Sequence, residues 1–98
     1  MTIYFGETIR CRETIKDFDG VTLLDPSSNE IKIYDASGDL KKTIPNEDID
    51  REELGIFHGE YTLPNVGVAG SWYYVWKATF EDGSLAIERT DFVVAFAP

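Results

Sequence analysis

One cysteine, Cys11, one histidine, His58, and one methionine are all that this 98-residue chain holds of those three types. A lone cysteine excludes an internal disulfide, so the fold must stand on its core. One histidine and one cysteine also make a poor zinc set. No apolar run approaches the length of a membrane span. The start, MTIYFGETIRCRETIKDFDG, lacks the basic region and apolar stretch of a secretory signal. Cations are scarce too, with 9 Lys and Arg against 18 Asp and Glu, for a net charge of −9. That charge opposes phosphate backbones and anionic surfaces, so neither nucleic acid nor membrane is expected as a partner. It favours solubility and little non-specific association. The expectation is a complete small protein made and kept in the cytoplasm.

What the chain does have is apolar and aromatic material, 43% and 13% of its residues. Those proportions belong to a globular protein, and the length suits one domain spanning residues 1–98. Periodicity of two recurs along it and helical periodicity does not. In ETIRCRETIKDF, Ile9, Cys11 and Ile15 share one parity while Arg10, Arg12, Thr14 and Lys16 share the other, which predicts a half-buried strand. DFDG supplies a turn and LLDPSSN a loop. Ile31 and Ile33 point one way from the next strand, with Glu30, Lys32 and Tyr34 the other. DASGD reverses the chain, and residues 40–44 return beside that strand or cross to another sheet. PNEDIDREEL lacks an apolar stripe and reads as a brief edge strand or loop rather than a helix. GIFHGEYTLP alternates, with Phe57, Gly59, Tyr61 and Leu63 against Ile56, His58, Glu60 and Thr62. SWYYVWKATF and LAIERTDFVVAF close the chain around an EDGS hairpin turn. About seven strands separated by turns predict an all-β, antiparallel β-sandwich, although a small barrel carries the same local signals.

The run GSWYYVWKATF raises the question of whether its rings bind something. On a strand, Trp72, Tyr74, Trp76, Ala78 and Phe80 share one face, and Tyr73, Val75, Lys77 and Thr79 the other. A solvent-facing stack of four large rings on so small a protein would promote aggregation, so the first set is assigned to the core. Tyr73 and Val75 remain outside as a candidate protein-contact patch, because tyrosine combines a rigid ring with a polar tip. Ile56 and His58 join this partner-binding set if their strand lies in the same sheet, which alternation leaves open.

Chemistry finds little support. Cys11 has inward parity and no neighbouring charge to activate it, and His58 has outward parity, so no nucleophile–base pair is expected. Asp17 with Asp19, and Asp35 with Asp39, are explained as turn formers, since the full calcium-loop pattern is missing. Glu47, Asp48, Asp50, Glu52 and Glu53 suit a solvated loop rather than a glycosidase cleft. No catalytic residue, metal or cofactor is assigned.

The ordered segments GETIRCRETIKDFDG, DPSSNEIKIYDASGDL, GIFHGEYTLP, AGSWYYVWKATFEDG and the closing FVV resemble immunoglobulin-like domains of the macroglobulin and bacterial-adhesin type. They are closer still to small immunoglobulin-like virion proteins of tailed phages, and the likeness covers nearly the whole chain. It implies an immunoglobulin-like sandwich without the pinning disulfide of antibody domains. It also implies a non-enzymatic virion component that decorates a capsid or sits in the connector or tail, assembled in the host cytoplasm. Its partners would be other virion proteins, and it would work in many copies or as a homo-oligomer. The alternative is a carbohydrate- or cell-surface-binding module, free-standing or one unit of a longer adhesin. One departure stands out: Glu13 has core parity where the family has a large apolar residue. A β-bulge, a place at the sandwich mouth, or a neighbouring subunit's cation would each accommodate it.

Overall fold

Alternation becomes architecture once each strand's apolar parity finds a facing layer. The computed structural model describes all 98 residues. Its strands are β1 Thr2–Tyr4, β2 Thr8–Thr14, β3 Ser28–Tyr34, β4 Leu40–Ile44, β5 Asp50–Glu53, β6 Ile56–Thr62, β7 Gly70–Thr79 and β8 Leu85–Ala95. They form a five-stranded sheet, ordered β1-β8-β7-β3-β4, and a three-stranded sheet, β2-β6-β5. The fold is an all-β sandwich with the immunoglobulin type of strand order.

The expected sandwich of about seven strands is present, and the structure adds two details to it. The strand count is eight with β1, whose 3 residues are too few for alternation to register. Pairing is not wholly antiparallel either, since β1 runs parallel to β8, with Thr2 opposite Val93 and Tyr4 opposite Ala95. The acidic stretch divides between two forms: a 3-10 turn at Asn46–Asp48, then the exposed edge strand β5. Residues 40–44 return beside β3 as β4.

The core is one cluster of 14 buried residues drawn from both sheets. Ile9, Cys11 and Ile15 enter it from β2 and just beyond, Ile31 and Ile33 from β3, and Trp72, Tyr74, Trp76 and Ala78 from β7. Phe80 packs against the cluster half-buried. The rings of GSWYYVWKATF are therefore core, apart from Tyr73. The indole of Trp76 donates to Asn29 Oδ1 at 2.9 Å, and that of Trp72 donates to the Val68 carbonyl at 2.7 Å. Each buried N–H thus has an acceptor. Gly59 lets the layers close: a Cβ there would stand 2.9 Å from Ile31 Cδ1.

The turn aspartates are occupied by backbone. Asp19 Oδ1 accepts from the amides of Val21 and Thr22, and Asp35 Oδ1 from those of Ser37 and Asp39. Burial works to raise the Asp35 pKa, but those two amides and the Lys41 ammonium hold it below the ordinary carboxylate value.

Two outcomes follow from this packing. Trp76→Ala should destabilise by about 3–5 kcal/mol, because it opens a cavity and orphans Asn29. Tyr73→Ala should cost much less, and thermal melts followed by circular dichroism compare the two. Cys11, fully buried and with its thiol pushed up to about 12 by burial, should resist Ellman's reagent in the native protein and react on unfolding. Rapid native labelling would contradict the β2 register.

Candidate functional site

The outer face of the larger sheet is set by two registers. Pairing of β3 with β7 places Tyr34 beside Tyr73 and Lys32 beside Val75. Pairing of β7 with β8, started by the tight turn at residues 80–84, places Val75 beside Arg89 and Tyr73 beside Asp91. Side chains at these positions stand away from the core.

Three of them form a stack. The rings of Tyr34 and Tyr73 lie 4.9 Å apart between centroids, inclined by only 16°. On the other side of Tyr73, Arg89 Cζ sits 3.8 Å from the ring centroid. Arg89 Nε donates to Asp91 Oδ1 at 2.8 Å, which fixes the guanidinium plane over the ring. That hydrogen bond holds the Arg89 pKa above its ordinary value, with the Asp91 charge adding to it. Tyr73 therefore has a neighbour on both faces and is rigid before any partner arrives.

Apolar residues continue the patch along β8, where Leu85, Ile87 and Val93 are 53%, 62% and 46% exposed. Charge on this face nearly balances, with Lys32, Lys77 and Arg89 against Glu30 and Asp91. On a chain of net charge −9 that is unusual, since the acidic excess lies elsewhere.

The expected patch is only partly assembled. Tyr73 and Val75 lie together, but Ile56 and His58 do not join them. Their strand, β6, pairs with β2 and β5 in the other sheet, so they face the opposite side of the sandwich. Alternation sets a residue's face within its own sheet and carries no information about which sheet that is.

His58 sits instead within an ionic group. Its Nε2 is 3.5 Å from Asp50 Oδ2 and its Nδ1 3.2 Å from Glu52 Oε2. Arg12 Nε donates to the same Glu52 oxygen at 3.0 Å. Burial tends to raise the Glu52 pKa, but Arg12 and His58 outweigh it and the net shift is downward. Cys11 points into the core and His58 out of it, so the two do not meet. No group of three or more His, Cys, Asp or Glu side chains is gathered as a metal set.

Tyr34, Arg89, Leu85, Ile87 and Val93 were missed as site residues. Counting back from the EDGS turn pairs residue 79 with 85, and so aligns residue 75 with 89 and 73 with 91. That arithmetic was a usable signal.

Comparison with solved structures finds a match to CopC from Methylosinus trichosporium OB3b. The TM-score is 0.60 at 14% sequence identity, covering 99% of this chain and 84% of that one. The likeness shows the β-sandwich fold. No protein-family model matches the chain, and no curated protein matches it significantly.

The stack should be measurable as a coupling. A double-mutant cycle on Tyr34→Ala and Tyr73→Ala, read by denaturant unfolding, should give an interaction of about 0.5–1.5 kcal/mol. Strict additivity would mean that the two rings do not touch in solution.

Proposed function

We propose that this chain is a non-enzymatic interaction protein that docks onto protein partners through the outer face of its larger sheet. The observation that carries this reading is the Arg89–Tyr73–Tyr34 stack, a preorganised aromatic anchor on an exposed, nearly neutral face. Aromatic and arginine side chains held rigid in this way lose little entropy on binding and concentrate interface energy. Ile87, Val75 and Val93 supply apolar area around the anchor. Tyr73 itself offers no free ring face on which a sugar could stack, since Tyr34 and Arg89 take both.

The partners we assign are other virion proteins of a tailed phage, in a capsid-decorating, connector or tail position. The support for that part is the resemblance to immunoglobulin-like virion proteins, together with a disulfide-free sandwich suited to cytoplasmic assembly. A fold alone carries no role, so the docking face is the testable element. No helix is long and apolar enough to cross a membrane.

Rebinding to stripped particles, or to purified partner proteins, tests the reading across a salt series. Tyr73→Ala should weaken binding by about 1–3 kcal/mol with an unchanged circular dichroism spectrum, and Val75→Asp should weaken it too. Association should slow as salt rises, because the net charge of −9 steers the encounter toward a basic or neutral surface. His58→Gln, on the opposite sheet, is the control and should bind normally. Unchanged occupancy for Tyr73→Ala and Val75→Asp at every salt would sink this assignment.

A further inference from the structure

One end of the sandwich is open, and strand length is the reason. β7 and β8 have 10 and 11 residues whereas β2 and β6 have 7 each, so the long hairpin outruns the smaller sheet. Burial falls along the core-facing parity of β8: Val94 and Phe92 are buried, Thr90 is half-buried, and Glu88 and Ala86 are exposed. A cleft of about 310 Å³ occupies the uncovered stretch, lined by Trp76, Ala78 and Ala86 on one side and Ile15 on the other.

Two carboxylates line this cleft. Glu13 pairs with Phe57 in β2–β6 without a bulge, and Glu88 pairs with Trp76 in β7–β8, so both have core-facing parity. Of the three placements open to Glu13, the sandwich mouth is the one observed. Burial raises its pKa first of all, the Glu88 charge raises it further, and the Thr14 amide offsets part of the rise. Lys16 lines the same cleft. It forms a bridge with Leu23 through its backbone and takes part in no ion pair.

The edge of β8 beside this cleft is also unpaired. β1 covers only Val93, Val94 and Ala95. The Val93 amide donates to the Met1 carbonyl and the Phe5 amide to the Ala95 carbonyl, each at 3.0 Å. Backbone groups alternate sides along a strand, so those of Ile87, Arg89 and Asp91 point the same way and meet no strand. Open edges of this kind are templates for pairing unless charge or a cover protects them.

We propose that this edge and cleft receive an extended segment of a protein partner, added as a strand along β8, with a lysine or arginine side chain between Glu13 and Glu88. Main-chain hydrogen bonds to residues 87, 89 and 91 supply affinity, and the cleft supplies selectivity. A strand laid there continues the line of β1. Its alternate side chains fall outside near Ile87 and inside beside Ala86 and Glu88, at the mouth of the cleft. A long cationic side chain fits the inner position because its stem crosses Ala86 into the cleft while its head reaches the two carboxylates. An acidic side chain would add a third like charge. This site uses the backbone edge and inner side of β8 and adjoins the tyrosine face at Ile87 and Arg89. Its choice of a cationic side chain rests on Glu13 and Glu88, which that face does not contain.

The probe is a pair of short capped peptides of alternating threonine and valine, with lysine or glutamate at one central position, titrated into the isotope-labelled full chain. The lysine peptide should slow amide exchange at Ile87, Arg89 and Asp91 and bind about tenfold more tightly than the glutamate peptide. The preference should vanish in the Glu13→Gln, Glu88→Gln double variant, with the exposed Glu88→Gln single variant as the milder substitution. Methylation of alternate peptide nitrogens should abolish binding. No protection at the three amides with millimolar lysine peptide, protection at the β4 or β5 edge instead, or equal affinity for the two peptides would overturn the proposal. So would an undiminished lysine preference in the double variant.

Discussion

Burying Trp76 places a polar N–H in the middle of an apolar layer, and much else follows from how that donor is satisfied. Asn29 supplies the acceptor, and it can do so only in the register that sets it opposite Ala78, two residues from Trp76 on the neighbouring strand. A slip of one residue would turn every side chain of β3 to the wrong face, and a slip of two would strand the indole. The same register sets Ile31 and Ile33 against the smaller sheet and Tyr34 beside Tyr73. A polar contact at the centre of the core thus decides the arrangement of an aromatic pair on the outside.

Strand length is the second determinant. The sheets match where β2 and β6 cross the aromatic part of β7, and there the rings of Phe5, Trp72, Phe92 and Tyr74 form a continuous chain of contacts. Beyond Trp76 the cover over β8 runs out, and the residues there change character: Ala86 is small and exposed, and Glu13 and Glu88 are acidic. Composition follows cover. The cleft and its carboxylates are the part of the interior that the chain itself leaves unfinished.

Much of this was legible because alternation is a local property. The facing of β7 could be read from ring parity, and the burial of Cys11 from its company with Ile9 and Ile15. The turns at residues 17–20, 35–39 and 81–84 announced themselves by glycine and aspartate. What could not be read was long-range. Sheet membership depends on which distant strand each edge meets, so Ile56 and His58 were grouped with Tyr73 although they lie on the other side of the sandwich. Glu13 broke the pattern in the sequence, and its placement depended on where the facing sheet ends. The partners of Tyr73 were half-visible: Tyr34 had outward parity, but only the pairings on either side of β7 bring it and Arg89 to the same ring.

The parallel contact between β1 and β8 bears on the order in which the molecule assembles. The β7–β8 and β3–β4 pairs join neighbouring stretches across short turns, so their loop-closure cost is small. Joining Thr2 to Val93 closes nearly the whole chain for the sake of three paired positions. Such a contact has the greatest sequence separation and the least to gain, so it belongs at the end of folding and at the start of local opening. When β1 lifts away, the unpaired edge of β8 lengthens by the residues it had covered, and Phe5 leaves the rings of Trp72 and Phe96. The first fluctuation of this fold therefore enlarges the surface on which another strand could settle.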